Sequence, residues 1–346
     1  MATYTPFTTG DTVDSIDRVF TSAWSGISPN NDLGASHFSS STQYVTTAAT
    51  SSGAFFMDIY STDPDANTDA EVQYSIAYGN KMGSGSLVFS SGTGGEGFSA
   101  AKSIYGQYRN LVFGGDETQN FSFNGHTPDG IYIININRAR YKNAIRTGNL
   151  FLKIGDLELT DDSITTSGSA NAIRAGVGRE FNLVSGSNGV RFGSNNTYVT
   201  DSGSYGYVYP DAGFMILNQD ALDALVADNG TALATTVTAT DGRNPVKLQD
   251  KLVTGASFIL DAQEDIASKY YFVRAKNQEF NYTTNDSFTE DDGTLKFDSM
   301  IDNPETYITT IGLYNDNQDL LAVAKLSQPL PKDFTKESLI KVKLDY

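Results

Sequence analysis

A chain of 346 residues with 24 Lys and Arg against 41 Asp and Glu carries a formal charge of −17. That sign repels phosphate and anionic lipid, which argues against nucleic acid or a membrane surface as partner. There is no cysteine, and His37 and His126 are the only histidines, so disulfides, thiolate nucleophiles and Cys- or His-rich metal sites are excluded.

Hydrophobic residues make up 39 %, with 20 Phe and 19 Tyr, enough for packed cores. Gly, Ser, Thr, Asn and Asp fill the gaps between apolar runs and supply turns at close intervals. This pattern predicts a mainly β fold with antiparallel, sandwich-like domains and a few short helices. At about 100–200 residues per domain the chain is expected to be multi-domain. Met1 to Phe7 lacks the basic and apolar stretches of a signal peptide, and no run approaches the ~20 apolar residues of a membrane span. The expectation is a protein made and assembled in a cytoplasm, with no membrane partner.

A first domain is predicted over residues 1–160. Gly10 to Phe20 reads as a short helix capped by Asp11 or Thr12, followed by Trp24, the single tryptophan and an anchor for a core or an interface. Strands are expected at 53–60, where Met57 and Ile59 alternate with Asp58 and Tyr60, and at 71–78, with Val72, Tyr74, Ile76 and Tyr78 on one face. Two more follow at 131–136 and 150–154. Ile104, Tyr108, Leu111 and Val112 predict a helical excursion near 99–113. A Gly/Ser/Asn-rich middle β domain, 161–268, holds the apolar island Phe181–Val184, a strand at 213–217 and a short helix near 220–227 capped by Asn218 or Asp220. The C-terminal β domain, 269–346, has an aromatic strand at 269–274, a hairpin over 306–326 around Asn315–Asp319, and a final strand at 338–346. Polar stretches at 35–50, 160–205 and 228–245 exceed ordinary connection lengths, and some are expected to order only against neighbouring subunits.

Motifs that bear chemistry are sparse. Gly92-Thr93-Gly94-Gly95-Glu96-Gly97 spells a dinucleotide-binding fingerprint before a helix, yet no βαβ series follows and Glu96 opposes an anion; a flexible turn explains the same residues. Asp63 to Asp69 spaces oxygens like a calcium loop, but Thr68 and Tyr74 stand where glycine and glutamate are required, so a polar turn is the simpler reading and a weak cation site the other. Glu290-Asp291-Asp292-Gly293 reads as a hairpin tip, and His126 as a loop residue. No catalytic, cofactor-binding or metal residue is assigned. Arg138, Arg140, Lys142 and Arg146 form a local basic group able to dock an acidic neighbour, or simply a solvated face. Aromatic residues anchor interfaces as readily as cores, which makes Trp24, Arg138, Arg140, Tyr205, Tyr207, Tyr209 and Tyr314 the interface candidates.

Ile311-Gly312-Leu313-Tyr314, a short Asx-rich turn and Leu320-Leu321-Ala322-Val323-Ala324 resemble a hairpin of tail-fibre and baseplate-associated proteins of tailed bacteriophages. Segments across the chain are similar to virion structural proteins of contractile-tailed phages, notably those of marine cyanobacteria. They include Ile104–Leu111, Ile134–Tyr141, Tyr207–Gly213, Arg274–Tyr282 and Asn303–Tyr307. The resemblance implies a structural subunit of the virion tail, in the baseplate wedge or periphery, present in several copies and bound to other tail and baseplate subunits. It carries over no catalytic residue and no cofactor. Other readings stay open: a neck, tail-completion or fibre-attachment protein, a host-receptor-binding module, or a glycan hydrolase, which requires two carboxylates about 5–10 Å apart.

Overall fold

The computed structural model describes residues 4–24, 37–38, 56–85, 88–89, 98–192, 203–225, 244–255, 257–281 and 286–346. Strands outweigh helices, 46 % against 14 %, so the fold is mainly β, and its large sheets are antiparallel as expected. In chain order the strands up to the first helix are β1 (Thr12–Ser22), β2 (His37–Phe38), β3 (Phe56–Tyr60), β4 (Val72–Asn80), β5 (Val88–Phe89) and β6 (Phe98–Ser99), followed by α1 (Ala100–Phe113). Then come β7 (Gly130–Ile136), β8 (Ala144–Ile145), β9 (Phe151–Ile154), β10 (Leu157–Asp161), β11 (Ala172–Arg174), β12 (Gly178–Ser187), β13 (Val190–Arg191), β14 (Gly206–Tyr209) and β15 (Phe214–Asn218). The rest of the chain forms α2 (Gln219–Leu225), α3 (Asn244–Gly255), β16 (Phe258–Ile259), β17 (Asp261–Ala275), α4 (Ser299–Asp302), β18 (Thr306–Tyr314), β19 (Leu320–Lys332) and β20 (Ser338–Asp345). No helix among the described residues is long and apolar enough to cross a membrane.

The chain forms two compact units, Arg18–Glu264 and Met1–Asp17 with Asp265–Tyr346. This differs from the three consecutive domains expected. β10 runs across the expected break at 160 and is hydrogen-bonded to β9 and β12, while β17 runs unbroken through 268. Sheet pairing is non-local, so the chain leaves and re-enters a unit inside single strands.

The larger unit is one curled antiparallel sheet in the order β2-β16-β9-β10-β12-β14-β15-β7-β4-β3. Its central strand β7 shows how the core is made. Period-two alternation sends Tyr132, Ile134 and Ile136 to one face, with Trp24, Tyr74 and Phe258 and with Leu222, Leu248 and Leu252 of α2 and α3. It sends Ile131 and Ile133 to the other face, beneath Tyr105 and Val112 of α1. α1 starts where the Ser99 hydroxyl accepts from Lys102 N and ends at Gly114, whose φ of 76° suits glycine. It can lie close to the sheet because Gly79 has no Cβ; one there would sit 2.9 Å from Tyr105 N.

The polar stretch 160–192 is held by this chain's own bonds. The Asp161 carboxylate accepts from Gly148 N at 2.9 Å, and Asp162 accepts from Asn182 N and Nδ2 at 3.0 and 2.8 Å. Thr160 Oγ1 donates to Leu150 O and accepts from Gly189 N, both at 2.6 Å. Its polarity therefore belongs to an internal network of hydrogen bonds. Residues 39–50 and 228–243, and the glycine motif at 92–97, lie outside the described residues.

In the smaller unit β17 pairs with β20 over eight residues, Ser268↔Asp345 through Ala275↔Ser338, and β1 lies on the other side of β17. Residues 12–22 are thus a strand where a helix was expected. Asp11, the expected cap, instead accepts from Thr8 N and Oγ1, and the β-branched residues Val13, Ile16 and Val19 suit a strand that has β17 to pair with. The hairpin β18–β19 packs Ile311, Leu313, Ala322 and Ala324 against Val342, Tyr271, Val273 and Ile340. Lys332 is fully buried in this unit, its ammonium donating to Asn277 O, Asn281 Oδ1 and Asp333 O at 3.0, 2.8 and 2.9 Å.

Candidate assembly surface

The turn of the β18–β19 hairpin is set by its Asx residues. Asn315 Oδ1 accepts from Asp319 N at 2.8 Å, Asn315 Nδ2 donates to Asp319 Oδ2 at 3.0 Å, and Gln318 takes the left-handed φ of 68°. A register shift between Leu313 and Tyr314 places one extra residue on β19. Alternation turns Ile311, Leu313, Ala322 and Ala324 inward, which leaves Leu321, Val323 and Lys325 on the outer face. Gly312 opposes Val323 there, and a Cβ at Gly312 would lie 2.7 Å from the Tyr314 ring and 3.1 Å from Leu320 Cδ1. Tyr314 and Leu320 can therefore drape across the backbone, and Tyr4 meets Tyr314 edge-on with ring centroids 5.0 Å apart.

Most of this apolar surface faces solvent: Leu321 is 68 % exposed, Val323 58 %, Leu320 53 % and Tyr314 43 %. Exposed apolar side chains grouped on one face are the kind of surface that protein contacts use. Asp316 and Asp319 border it at the hairpin tip, and Lys325 borders it at the opposite end.

Of the seven interface candidates, Tyr314 is the one this surface contains. Trp24 is buried; its Nε1 donates to Phe258 O at 2.9 Å and its ring meets Phe258 and Tyr74 at 4.9 and 5.8 Å. Tyr205 and Tyr209 are buried in the larger unit, and Tyr207, half-buried, stacks on Phe123 and donates to Ser122 O. These four aromatics fill the core. The basic group is spent on internal pairs: Arg140 on Glu71 at 3.0 Å, Lys142 on Glu264, and Arg146 on Asp261 at 3.2 Å and over the Phe20 ring. Lys142 and Arg138 stay exposed, and Arg138 lies 4.5 Å over the Tyr141 ring.

Arg138 also lines a shallow groove of about 390 Å³ with Asp58, Ser75, Asn135, Asn137 and Tyr141. Asp58 is the one carboxylate lining it and accepts from Ser75 Oγ at 2.5 Å, so the groove lacks the carboxylate pair of a glycosidase. Glu180 is buried between Arg174, bound through two nitrogens at 2.9 and 3.2 Å, and the Tyr209 hydroxyl at 2.9 Å. Burial, then the Glu180 charge, pushes Tyr209 well above its usual value, and the bond to Glu180 raises Arg174. His126 Nε2 lies 2.7 Å from Asp220 Oδ2, at the start of α2. In the 63–69 loop, Asp63 and Asn67 direct side-chain oxygens to Asp65 N and Asp69 N, as polar turns do. Among the described residues no three His, Cys, Asp or Glu side chains gather as metal ligands. Glu290–Gly293 is the expected tip, closed by Glu290 N donating to Thr294 O.

Comparison with protein-family models, curated proteins and solved structures returned no match.

Proposed function

We propose that this chain is a non-enzymatic structural subunit of a tailed-phage virion, a baseplate component that works by protein–protein contact. The observation that carries this reading is the outer face of β18–β19, where Tyr314, Leu320, Leu321 and Val323 stand in solvent on a paired hairpin. Fully burying such side chains is worth roughly 1.5–3 kcal/mol each, a gain the isolated chain leaves uncollected. Their position favours a protein neighbour, because well-packed aromatic and aliphatic anchors dominate assembly interfaces. The same hairpin carries the sequence resemblance to baseplate-associated proteins. Tracing this chain in density from purified virions is the test: a tail-side location with the hairpin covered supports the role, and particles that lack the chain refute it.

A further inference from the structure

The apolar part of the outer hairpin face is bordered by opposite charges. Asp316 and Asp319 lie at the tip, Lys325 lies at the far end, and the apolar residues stand between them. Asp319 and Lys325 are six residues apart, roughly 20 Å along a strand. Their midpoint is Ala322, so Leu321 and Val323 flank the centre of the outer row.

A surface arranged as acid, apolar, base is self-complementary. Turned by a two-fold axis, it places its own acid end against its own basic end, which is the definition of an isologous contact. We infer that this face binds a second copy of the same chain, with a two-fold axis between Leu321 and Val323; the inference rests on the assembly role proposed above. Leu321 of one copy meets Val323 of the other, and the Tyr314 and Leu320 side chains close the flanks. The net charge of −17 opposes association at long range, so the contact strengthens as salt screens that repulsion and weakens when the local Asp–Lys pairs are removed.

Sedimentation velocity on the intact chain over a concentration series tests the contact. The wild type is expected to show a monomer–dimer equilibrium, and Leu321→Asp to weaken it at least tenfold with an unchanged unfolding midpoint. Lys325→Glu makes both ends acidic, and Asp316→Lys with Asp319→Lys makes both basic. Each variant alone is expected to stay monomeric, and an equimolar mixture to form heterodimers. A wild type that stays monomeric, a dimer indifferent to Leu321→Asp, or a mixture that fails to associate overturns the two-fold contact. A monomeric chain that is nevertheless found in virions refutes only this inference; a chain missing from virions refutes the assembly role whatever its oligomeric state.

Discussion

The two units treat apolar side chains in opposite ways. The larger one wraps a curled sheet around two buried clusters and covers both faces of β7 with its own helices. In the smaller one the buried hydrophobic residues among those described are Ala275, Ile311, Leu313 and Val342, against fifteen large hydrophobic side chains left exposed. Both are antiparallel β structures with the same turn chemistry. What differs is the number of layers: a sheet covered on both faces completes its core, whereas a hairpin on a three-stranded sheet leaves an outer face for something else to bury. On the proposed reading the larger unit is the scaffold and the smaller one offers the surface that a neighbour covers.

The sharpest way to break this contrast is a core truncation. Phe258→Ala removes a buried ring that touches Trp24 and Tyr74 and is expected to cost about 3–5 kcal/mol, read from Trp24 fluorescence during denaturation. A loss below about 1 kcal/mol would deny the larger unit its well-packed core. Glu180→Ala comes next, at about 3 kcal/mol, since Arg174 and the Tyr209 hydroxyl lose their shared acceptor in a buried setting.

Acid should separate the units. In the smaller one Asp11, Asp292, Asp333 and Asp345 all sit below the ordinary value of 3.8, held there chiefly by side-chain hydrogen bonds from Thr8, Thr294, Lys336 and Ser268. A lowered folded-state pKa contributes stability above the unfolded value that is lost as pH falls through the folded one, so this unit weakens below about pH 4. In the larger unit burial raises Asp162 and Asp261, whose ionised forms cost stability that is recovered as pH falls toward 3.8. Asp116 and Asp211, both lowered, partly cancel that recovery. Between pH 5 and pH 3, hydrogen-exchange protection corrected for intrinsic rates is expected to fall more in β17–β20 peptides than in β7–β15 peptides; equal loss contradicts the assignment. The smallest effect belongs to the exposed face: Leu321→Asp should change the unfolding free energy by no more than about 0.5 kcal/mol, measured by urea denaturation.

Much of the fold was legible where periodicity was clean. The alternation of β20, Ser338 to Asp345, reappears as alternating burial, and Ile104, Tyr108 and Val112 lie on one helix, α1. Residues 12–22 were misread because a cap residue before an apolar residue is a local signal, while pairing with β17 some 250 positions away is not written locally. β10 to β13 were obscured by Asp161, Asp162, Thr160 and Asn182, whose polarity serves buried bonds rather than solvent. α3 escaped notice because Val246, Leu248 and Leu252 make a thin apolar stripe. The surface was half legible. Leu320, Leu321 and Val323 announced a hairpin strand, but an apolar residue in a strand looks the same whether its face is covered or bare, and for the same reason Trp24, Tyr205 and Tyr209 were placed among interface candidates.

The most direct test of the smaller unit as an assembly surface is hydroxyl-radical footprinting of the chain, free as a monomer at high dilution and within purified virions. Tyr4, Tyr314, Leu320, Leu321 and Val323 are expected to react readily in the free chain and to be protected in the particle, while the buried Trp24 stays unreactive in both. Equal reactivity of the hairpin face in the two states would contradict its burial by a neighbour.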